Sequence, residues 1–129
     1  MECVPLPLKA RAPLFRDGIK VVVPPVRRIP PDALSPHTKT HNYLNLVIGD
    51  LGAKAMNTDA WAVLLDVNGN LSEGAGCNFF MVQDGKLLTP LARYALPGIS
   101  RQTVMELAEK QGILVEKKSI DLFDAYNAE

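Results

Sequence analysis

A lysine stands between two histidines in the stretch HTKTHNYLNL, residues 37–46, where a proline-rich segment gives way to a helical pattern. The amine of Lys39 could act as a nucleophile toward a carbonyl, because the pKa of a lysine falls readily in a desolvated or cationic site. Taken alone, Lys39 is far more often an exposed surface charge, since lysine is rarely buried without a reason. The segments around it decide between these interpretations.

His37 and His41 suggest a competing interpretation, because two histidines four residues apart share one face of a helix, as zinc-binding histidines do. They are the only two histidines in the sequence. Zinc normally takes a third or fourth protein ligand, the HExxH glutamate is absent, and Pro36 argues against a helical His37. Cys3 and Cys77 could supply further ligands, but their spacing does not indicate it. A zinc site is therefore the weaker interpretation.

The composition describes a soluble globular chain of about one domain, with 129 residues of which 47% are hydrophobic and 22% charged. Fourteen basic and fourteen acidic residues cancel, so the field that gathers nucleic acid or an anionic membrane is missing. Two cysteines are too few for a disulfide framework. Neither a signal peptide nor an apolar membrane span is recognisable. We expect a cytoplasmic protein with no nucleic-acid or membrane partner.

The first half of the chain is predicted to be extended and then helical. Eight of the ten prolines lie in the first 36 residues, so that segment is predicted to be loop-like, with one strand over residues 18–23. A helix is predicted over about residues 40–56, because apolar residues there recur at helical spacing. These residues are Leu44, Val47, Leu51 and Ala55.

Two hairpins are predicted next. Strands over residues 60–66 and up to Ser72 flank the Asn68-Gly69 turn, and strands over residues 78–82 and 86–89 flank Asp84-Gly85. Together with the helices, these hairpins indicate an α+β fold with a largely antiparallel or mixed sheet.

The last third is predicted as helix, strand and helix. Ser100 is a candidate N-cap and Gly112 a stop signal for a helix that places Val104, Leu107 and Ala108 on one face. A strand is predicted over residues 113–120, and a further helix begins within residues 121–129.

Several of these segments together resemble the signature segments of the fold-type IV enzymes that use pyridoxal 5'-phosphate (PLP). They are KTHNYLN, LDVNGNLSEGAGCNFF, DGKLLTP and LPGISR. That group includes branched-chain aminotransferases, D-amino acid aminotransferases and aminodeoxychorismate lyase. The NYLN and LPGISR segments, with RRIPPDALSPHTKT before them, are most similar to the branched-chain aminotransferase-like members. The resemblance covers residues 13–129 and implies a D-amino acid aminotransferase-like, PLP-binding large domain.

The resemblance also implies roles for individual residues. Lys39 matches the lysine that forms the Schiff base with the cofactor aldehyde and moves a proton between the substrate α-carbon and the cofactor. Tyr43 matches the tyrosine whose hydroxyl approaches the phenolic oxygen of the cofactor, one helical turn beyond Lys39 if a helix begins near residue 40. Glu73 matches the glutamate that keeps the pyridine nitrogen protonated. Taken alone, Glu73 would be a solvated carboxylate and Tyr43 a partly buried aromatic residue.

Three further positions match the binding of the ring face and the phosphate. Leu96 matches the apolar residue on the ring, although it could equally be ordinary packing. Ile99 and Ser100 match the positions whose N–H groups and hydroxyl hold the phosphate, and a helix N-terminus is itself an anion site. Ser100 stands where threonine is usual, which keeps the hydroxyl. Cys77 replaces the more common glutamate or serine, which leaves the substrate open.

The implied activity is amino transfer between an amino acid, branched-chain by similarity, and a 2-oxo acid, in a homodimer when the protein is full length. Full family members carry another domain before the matched region and continue past it, so residues 1–129 are expected to be a partial large domain. Two alternatives stay open. One is an aminodeoxychorismate lyase-type enzyme that uses the same lysine and cofactor, and the other is a catalytically inactive fragment of an aminotransferase.

Overall fold

The computed structural model describes residues 4–129, so Cys3 lies outside the described residues. Four α-helices are present there: α1 (Leu8–Asp17), α2 (Leu44–Met56), α3 (Ile99–Lys110) and α4 (Leu122–Tyr126). The strands are β1 (Val21–Val22), β2 (Trp61–Leu65), β3 (Leu71–Gly74), β4 (Met81–Gln83), β5 (Lys86–Pro90) and β6 (Val115–Lys118), with a 3-10 turn over Ala92–Tyr94. The α+β prediction is confirmed.

The strands form two small mixed sheets. In the first, β1 pairs in parallel with β2, and β2 pairs antiparallel with β3. In the second, β4 pairs antiparallel with β5, and β5 pairs in parallel with β6, so that Leu88 lies opposite both Met81 and Glu116. An isolated antiparallel bridge between Glu73 and Asn78 joins the end of the first sheet to the chain that leads into the second.

Strand β2 is buried on both faces, which explains its nearly continuous apolar sequence. Val63 and Leu65 enter a core cluster with Leu71, Met81, Leu88 and Ile120, which lies between the two sheets and α4. Ala62 and Leu64 point to the other side, where they pack against Leu46 and Ala53 of α2. The core of this chain is therefore built on both sides of one strand.

Both predicted hairpins are confirmed, because β2 pairs antiparallel with β3 and β4 pairs antiparallel with β5. Their turns depend on residues that accept positive φ. Gly69 has φ +90° in the β2–β3 turn, while Asp84 and Gly85 have φ +50° and +69° between β4 and β5. Gly112, with φ +76°, follows the end of α3 as predicted.

The prediction of a loop-like first segment is wrong for residues 8–17, which form α1. Its sequence LKARAPLFRD is rich in good helix formers, and Pro13 interrupts one backbone hydrogen bond without ending the helix. No residue of α1 is buried. Among the described residues, the helix formers of this segment and not a buried face favour α1.

Helix α2 begins at Leu44, four residues later than predicted, and it turns a different face to the core. The buried positions are Leu46, Gly49 and Ala53, whereas Leu44, Val47 and Leu51 of the predicted apolar stripe are exposed. A Cβ built on Gly49 would lie 2.9 Å from Leu64 Cδ1, so glycine allows α2 to approach β2 closely. No helix within residues 4–129 is both long enough and apolar enough to cross a membrane.

Candidate functional site

Glu73 lies in β3 and is the one acidic residue among the six predicted site residues, with 6% of its side chain exposed. Its Oε1 accepts a hydrogen bond from Nε of Arg28 at 3.0 Å, and Nη2 of Arg28 forms an ion pair with the same oxygen at 3.0 Å. Its Oε2 accepts one from the backbone N–H of Leu96 at 2.8 Å. A carboxylate oxygen has two acceptor positions. Among the described contacts, Oε2 therefore keeps room for one more donor.

Two opposing effects act on the pKa of Glu73: burial and its hydrogen-bond and charge partners. Burial raises the pKa above its ordinary value, while the Leu96 N–H and the Arg28 guanidinium act in the opposite direction and favour the charged form. Burial is the largest of these effects. A cationic N–H donor placed against the free acceptor position of Oε2 would further favour the carboxylate.

Arg28 is itself held in place by Asn45, in the first turn of α2. The Asn45 Oδ1 accepts from Arg28 Nη1 at 3.2 Å and from the Ile29 N–H at 3.3 Å, while its Nδ2 donates to the Arg27 carbonyl at 2.8 Å. Sequence reasoning missed both Arg28 and Asn45. The sequence offers one signal for them: both lie in segments that resemble the family, an arginine pair in RRIPPDALSPHTKT and an asparagine in NYLN.

Lys39 and Tyr43 do not share a helix, so the expectation that they lie one helical turn apart is wrong. Tyr43 is the N-cap of α2, and His41 before it has φ +63°, which turns the chain between the two residues. The ring of Tyr43 stacks on that of His41 with centroids 5.8 Å apart. Lys39 is exposed, and no carboxylate of the described residues pairs with it.

His37 connects the Lys39 segment to the other side of the site. Its Nε2 lies 2.6 Å from the Ala92 carbonyl oxygen, in the 3-10 turn that precedes Leu96. This contact requires a protonated Nε2, which donates to the carbonyl. The shared helix face on which the zinc interpretation rested is absent, because α2 begins at Leu44. Within residues 4–129, no three His, Cys, Asp or Glu side chains are grouped closely enough to hold a metal ion.

Ser100 is not the N-cap of α3, which corrects the sequence prediction. Gly98 occupies that position in an extended conformation, and no side chain caps the helix. Ser100 is the second residue of the helix, next to Ile99, and both side chains are exposed. The N–H groups of a first helical turn lack partners inside the helix. An anion can therefore use them, because no side chain competes.

Gly74 and Gly76 both follow Glu73, but they differ in the space around them. A Cβ built on Gly74 would lie 2.6 Å from the Ala62 carbonyl oxygen and 2.6 Å from Cys77 Sγ, whereas one on Gly76 meets nothing within 4 Å. Gly74 thus allows close internal packing, and Gly76 borders open space where a ligand ring could approach. Cys77 is partly buried, and that burial raises the pKa of its thiol.

Replacing Gly74 by alanine is expected to lower the free energy of unfolding by about 1–3 kcal/mol, because the new methyl group overpacks a backbone carbonyl. Gly76→Ala is the matched control and should stay within about 0.5 kcal/mol of the unmodified chain. Urea unfolding followed by circular dichroism measures both. Equal losses in the two variants would contradict the packing difference.

The structure brings some predicted site residues together and leaves others linked only indirectly. Glu73 and Leu96 are in direct contact, and Ile99 and Ser100 follow three and four residues later at the start of α3. Among the described residues, no hydrogen bond or ion pair joins Lys39 or Tyr43 to Glu73. The roles of all six predicted residues stay predictions.

The arrangement suits a ligand with an aromatic nitrogen at one end, against Glu73, and an anionic group at the other, against the start of α3. A family model with the description amino-transferase class IV matches residues 3–129. The chain belongs to the class IV aminotransferase family.

The similar proteins bear branched-chain aminotransferase names. The chain is 40% identical over 128 residues to a Methanocaldococcus jannaschii protein provisionally named a branched-chain-amino-acid aminotransferase, covering 98% of this chain and 43% of that protein. It is 36% identical over 121 residues to the branched-chain-amino-acid aminotransferase of Escherichia coli K12, covering 92% of this chain and 38% of that enzyme. The chain therefore spans about two fifths of the length of these relatives.

Solved structures share the fold. The branched-chain amino acid aminotransferase from Thermobaculum terrenum, in its PLP-bound holo-form, matches with a TM-score of 0.78 and 34% identity, over 85% of this chain and 36% of that one. The E. coli enzyme matches with a TM-score of 0.81 and 36% identity, over 86% of this chain and 37% of that one. The expected fold type is therefore confirmed.

Proposed function

We propose that this protein is a PLP-dependent aminotransferase that exchanges an amino group between a branched-chain amino acid and a 2-oxo acid. The observation that carries the proposal is the buried Glu73, held by Arg28 and the Leu96 N–H with one acceptor position left on Oε2. A fixed carboxylate of this kind fits the protonated ring nitrogen of PLP. Membership of the class IV aminotransferase family supports the assignment.

When bound, PLP supplies an aldehyde that links to amines and a protonated ring that withdraws electrons from the substrate α-carbon. Glu73 keeps the ring nitrogen protonated, because an ionised acceptor stabilises the adjacent N–H. The N–H groups of Ile99 and Ser100, with the Ser100 hydroxyl, bind the phosphate at the start of α3. Leu96 packs against the ring face.

Lys39 is the catalytic residue in this proposal. Its amine would hold the cofactor aldehyde and, once released, would move the proton of the substrate α-carbon. No described carboxylate pairs with it, so the amine is free for both tasks. Tyr43 directs its hydroxyl toward the phenolic oxygen of the cofactor. The positive φ of His41 turns the chain between the two residues, so this proposal does not depend on a shared helix face.

Amino transfer can be distinguished from the lyase alternative by the products. The PLP-loaded chain is expected to convert leucine to its 2-oxo acid while the cofactor absorbance changes to that of the aminated form, and 2-oxoglutarate should reverse the change. Pyruvate release from aminodeoxychorismate would favour the lyase instead. A Lys39→Ala chain treated identically is the control. If neither product forms, the proposed activity of this chain is overturned and the inactive fragment becomes its interpretation.

The proposal extends to partners and location. The intact protein forms a homodimer, and the exposed apolar residues Leu44, Val47 and Leu51 of α2 support such a contact, because exposed apolar surface marks interaction sites. Sedimentation velocity would show the dimer. Its location is cytoplasmic, as the low cysteine count favours, and fractionation of its source cells would test this. Its substrates are small amino and 2-oxo acids, with no nucleic-acid or membrane partner.

Residues 4–129 form part of the cofactor-binding large domain in this proposal. The similarity to the Thermobaculum terrenum enzyme over 36% of that chain supports the assignment. The buried network around Glu73 lies entirely within these residues, so the ring-nitrogen end of the cofactor site can be tested on this chain alone.

A further inference from the structure

The peptide groups of Leu96 are held by two side chains, one from β3 and one from the connection between β3 and β4. The Leu96 N–H donates to Glu73 Oε2 at 2.8 Å, and the Leu96 carbonyl accepts from Asn78 Nδ2 at 3.1 Å. Glu73 and Asn78 face each other across an antiparallel bridge. One short piece of sheet therefore holds both ends of a single residue in the loop before α3.

Asn78 also packs against the residue that caps α3. A Cβ built on Gly98 would clash with Asn78 Oδ1, so the amide lies directly against the Gly98 backbone. The Gly98 N–H donates to the Leu96 carbonyl at 2.8 Å, which closes a tight turn between these two residues. The Asn78 side chain thus contacts the turn at both Leu96 and Gly98, immediately before the first helical residue.

We propose that Asn78 is a positioning residue that fixes the N-terminus of α3 relative to the carboxylate of Glu73. This inference rests on the proposed function, in which Glu73 binds the ring nitrogen and α3 binds the phosphate. In this proposal, Asn78 itself contacts neither the ring nitrogen nor the phosphate. It sets the spacing between the two anchoring points through the backbone of Leu96 and Gly98.

Spacing matters because PLP is a small ligand whose ring nitrogen and phosphate lie a limited distance apart and must be bound at the same time. A site in which both anchoring points are preorganised binds such a ligand more tightly than a site that must order a loop on binding. Without Asn78, Glu73 still holds the Leu96 N–H, but the following turn loses its second support. The phosphate should then contribute less to binding, whereas the ring-nitrogen contact should change little.

A comparison of PLP with pyridoxal, which lacks the phosphate, isolates this contribution. In the 129-residue chain, Asn78→Ala is expected to reduce by about fivefold the factor by which PLP binds more tightly than pyridoxal, the size of one neutral hydrogen bond. Binding is measured by absorbance titration. Gly98→Ala, which displaces the Asn78 amide, should lower the same factor, and the double variant should add little, since both changes break one support.

The matched control is Ser72→Ala. Ser72 lies next to Glu73 in β3, is buried, and donates to the Leu64 carbonyl at 2.7 Å, and no described hydrogen bond joins it to Leu96. The Ser72→Ala variant should lose stability as Asn78→Ala does, but its ratio of PLP affinity to pyridoxal affinity should be unchanged. A purely structural role for Asn78 would make the two variants alike.

Hydrogen exchange gives a measurement that needs no cofactor. The Leu96 and Gly98 amides of the unliganded chain should exchange about tenfold faster in Asn78→Ala than in Ser72→Ala, because loop amides exchange through local opening. Unchanged exchange together with an unchanged affinity ratio would overturn the role of Asn78 and leave the proposed function standing. Failure of the unmodified chain to bind PLP at all would overturn both.

Discussion

Lys39→Ala is expected to abolish the specific covalent attachment of PLP at the predicted site. The unmodified chain should give an absorbance band for PLP linked to an amine, and borohydride should fix the cofactor on Lys39. The reason is local, because Lys39 is an exposed amine without a described carboxylate partner, in a segment tied by the His37–Ala92 contact to the loop that carries Leu96. Peptide mapping of the reduced protein identifies the labelled residue, and transfer activity should be lost completely.

Lys20→Ala provides the control, since Lys20 is also an exposed lysine but lies before β1, outside the predicted site. This variant should keep the band and the labelled peptide. PLP reacts slowly with many surface lysines, so the decisive quantity is the difference between the two variants. Scattered labelling that is the same with and without Lys39 would contradict the assignment and favour a chain that retains the family motifs without a working site.

The turns of this fold could be predicted from sequence because residues of a turn determine their own backbone conformation. Asp84-Gly85 and Gly69 require positive φ, and only a few residue types accept it at low cost. The sequence does not predict helix α1, because its segment carries helix-forming residues and prolines together. The prolines around it outweighed the helix formers in the prediction, although only Pro13 lies inside the helix.

The caps of α2 and α3 were harder to predict because contacts distant in sequence decide them. Ser100 is a better N-cap by residue type than Gly98. Gly98 takes the position because its backbone lies against Asn78, where a side chain would clash. Similarly, the start of α2 depends on the turn at His41. Neither contact leaves a periodic signal in the sequence.

In the candidate site, too, some residues could be predicted from the sequence, whereas others depend on contacts distant in sequence. The resemblance supplied Glu73, but nothing local distinguishes Arg27 from Arg28, which are adjacent and identical in type. In the fold, Arg27 is exposed and bridges to Leu65, whereas Arg28 turns inward to a carboxylate 45 residues away. Only the pairing of this segment with β2 decides which arginine is buried. The partner of Glu73 therefore required the structure.

Arg28→Met is expected to destabilise the chain by about 3–5 kcal/mol at pH 7.5, because it leaves the Glu73 carboxylate buried without its counter-charge. Methionine keeps most of the apolar length of the arginine, so the loss reports the charge rather than a large cavity. Only 11% of the Arg28 side chain and 6% of the Glu73 side chain are exposed, so water replaces the lost contact poorly. Urea unfolding measures the change, with Arg16→Met as the control on an exposed ion pair.

The pH dependence of this loss identifies its cause. Burial raises the folded-state pKa of Glu73 above 4.5, and removing Arg28 takes away two of the interactions that oppose the rise. Between pH 4.5 and the raised pKa, the folded state binds the proton more tightly than the unfolded state, so stability falls as pH rises. Arg28→Met should therefore lose least stability near pH 4.5 and most at pH values above the raised pKa of Glu73. Adding Glu73→Gln should restore about 2 kcal/mol or more at pH 7.5 by removing the unpaired charge. A loss that is independent of pH and unaffected by Glu73→Gln would mean that Arg28 acts through packing alone.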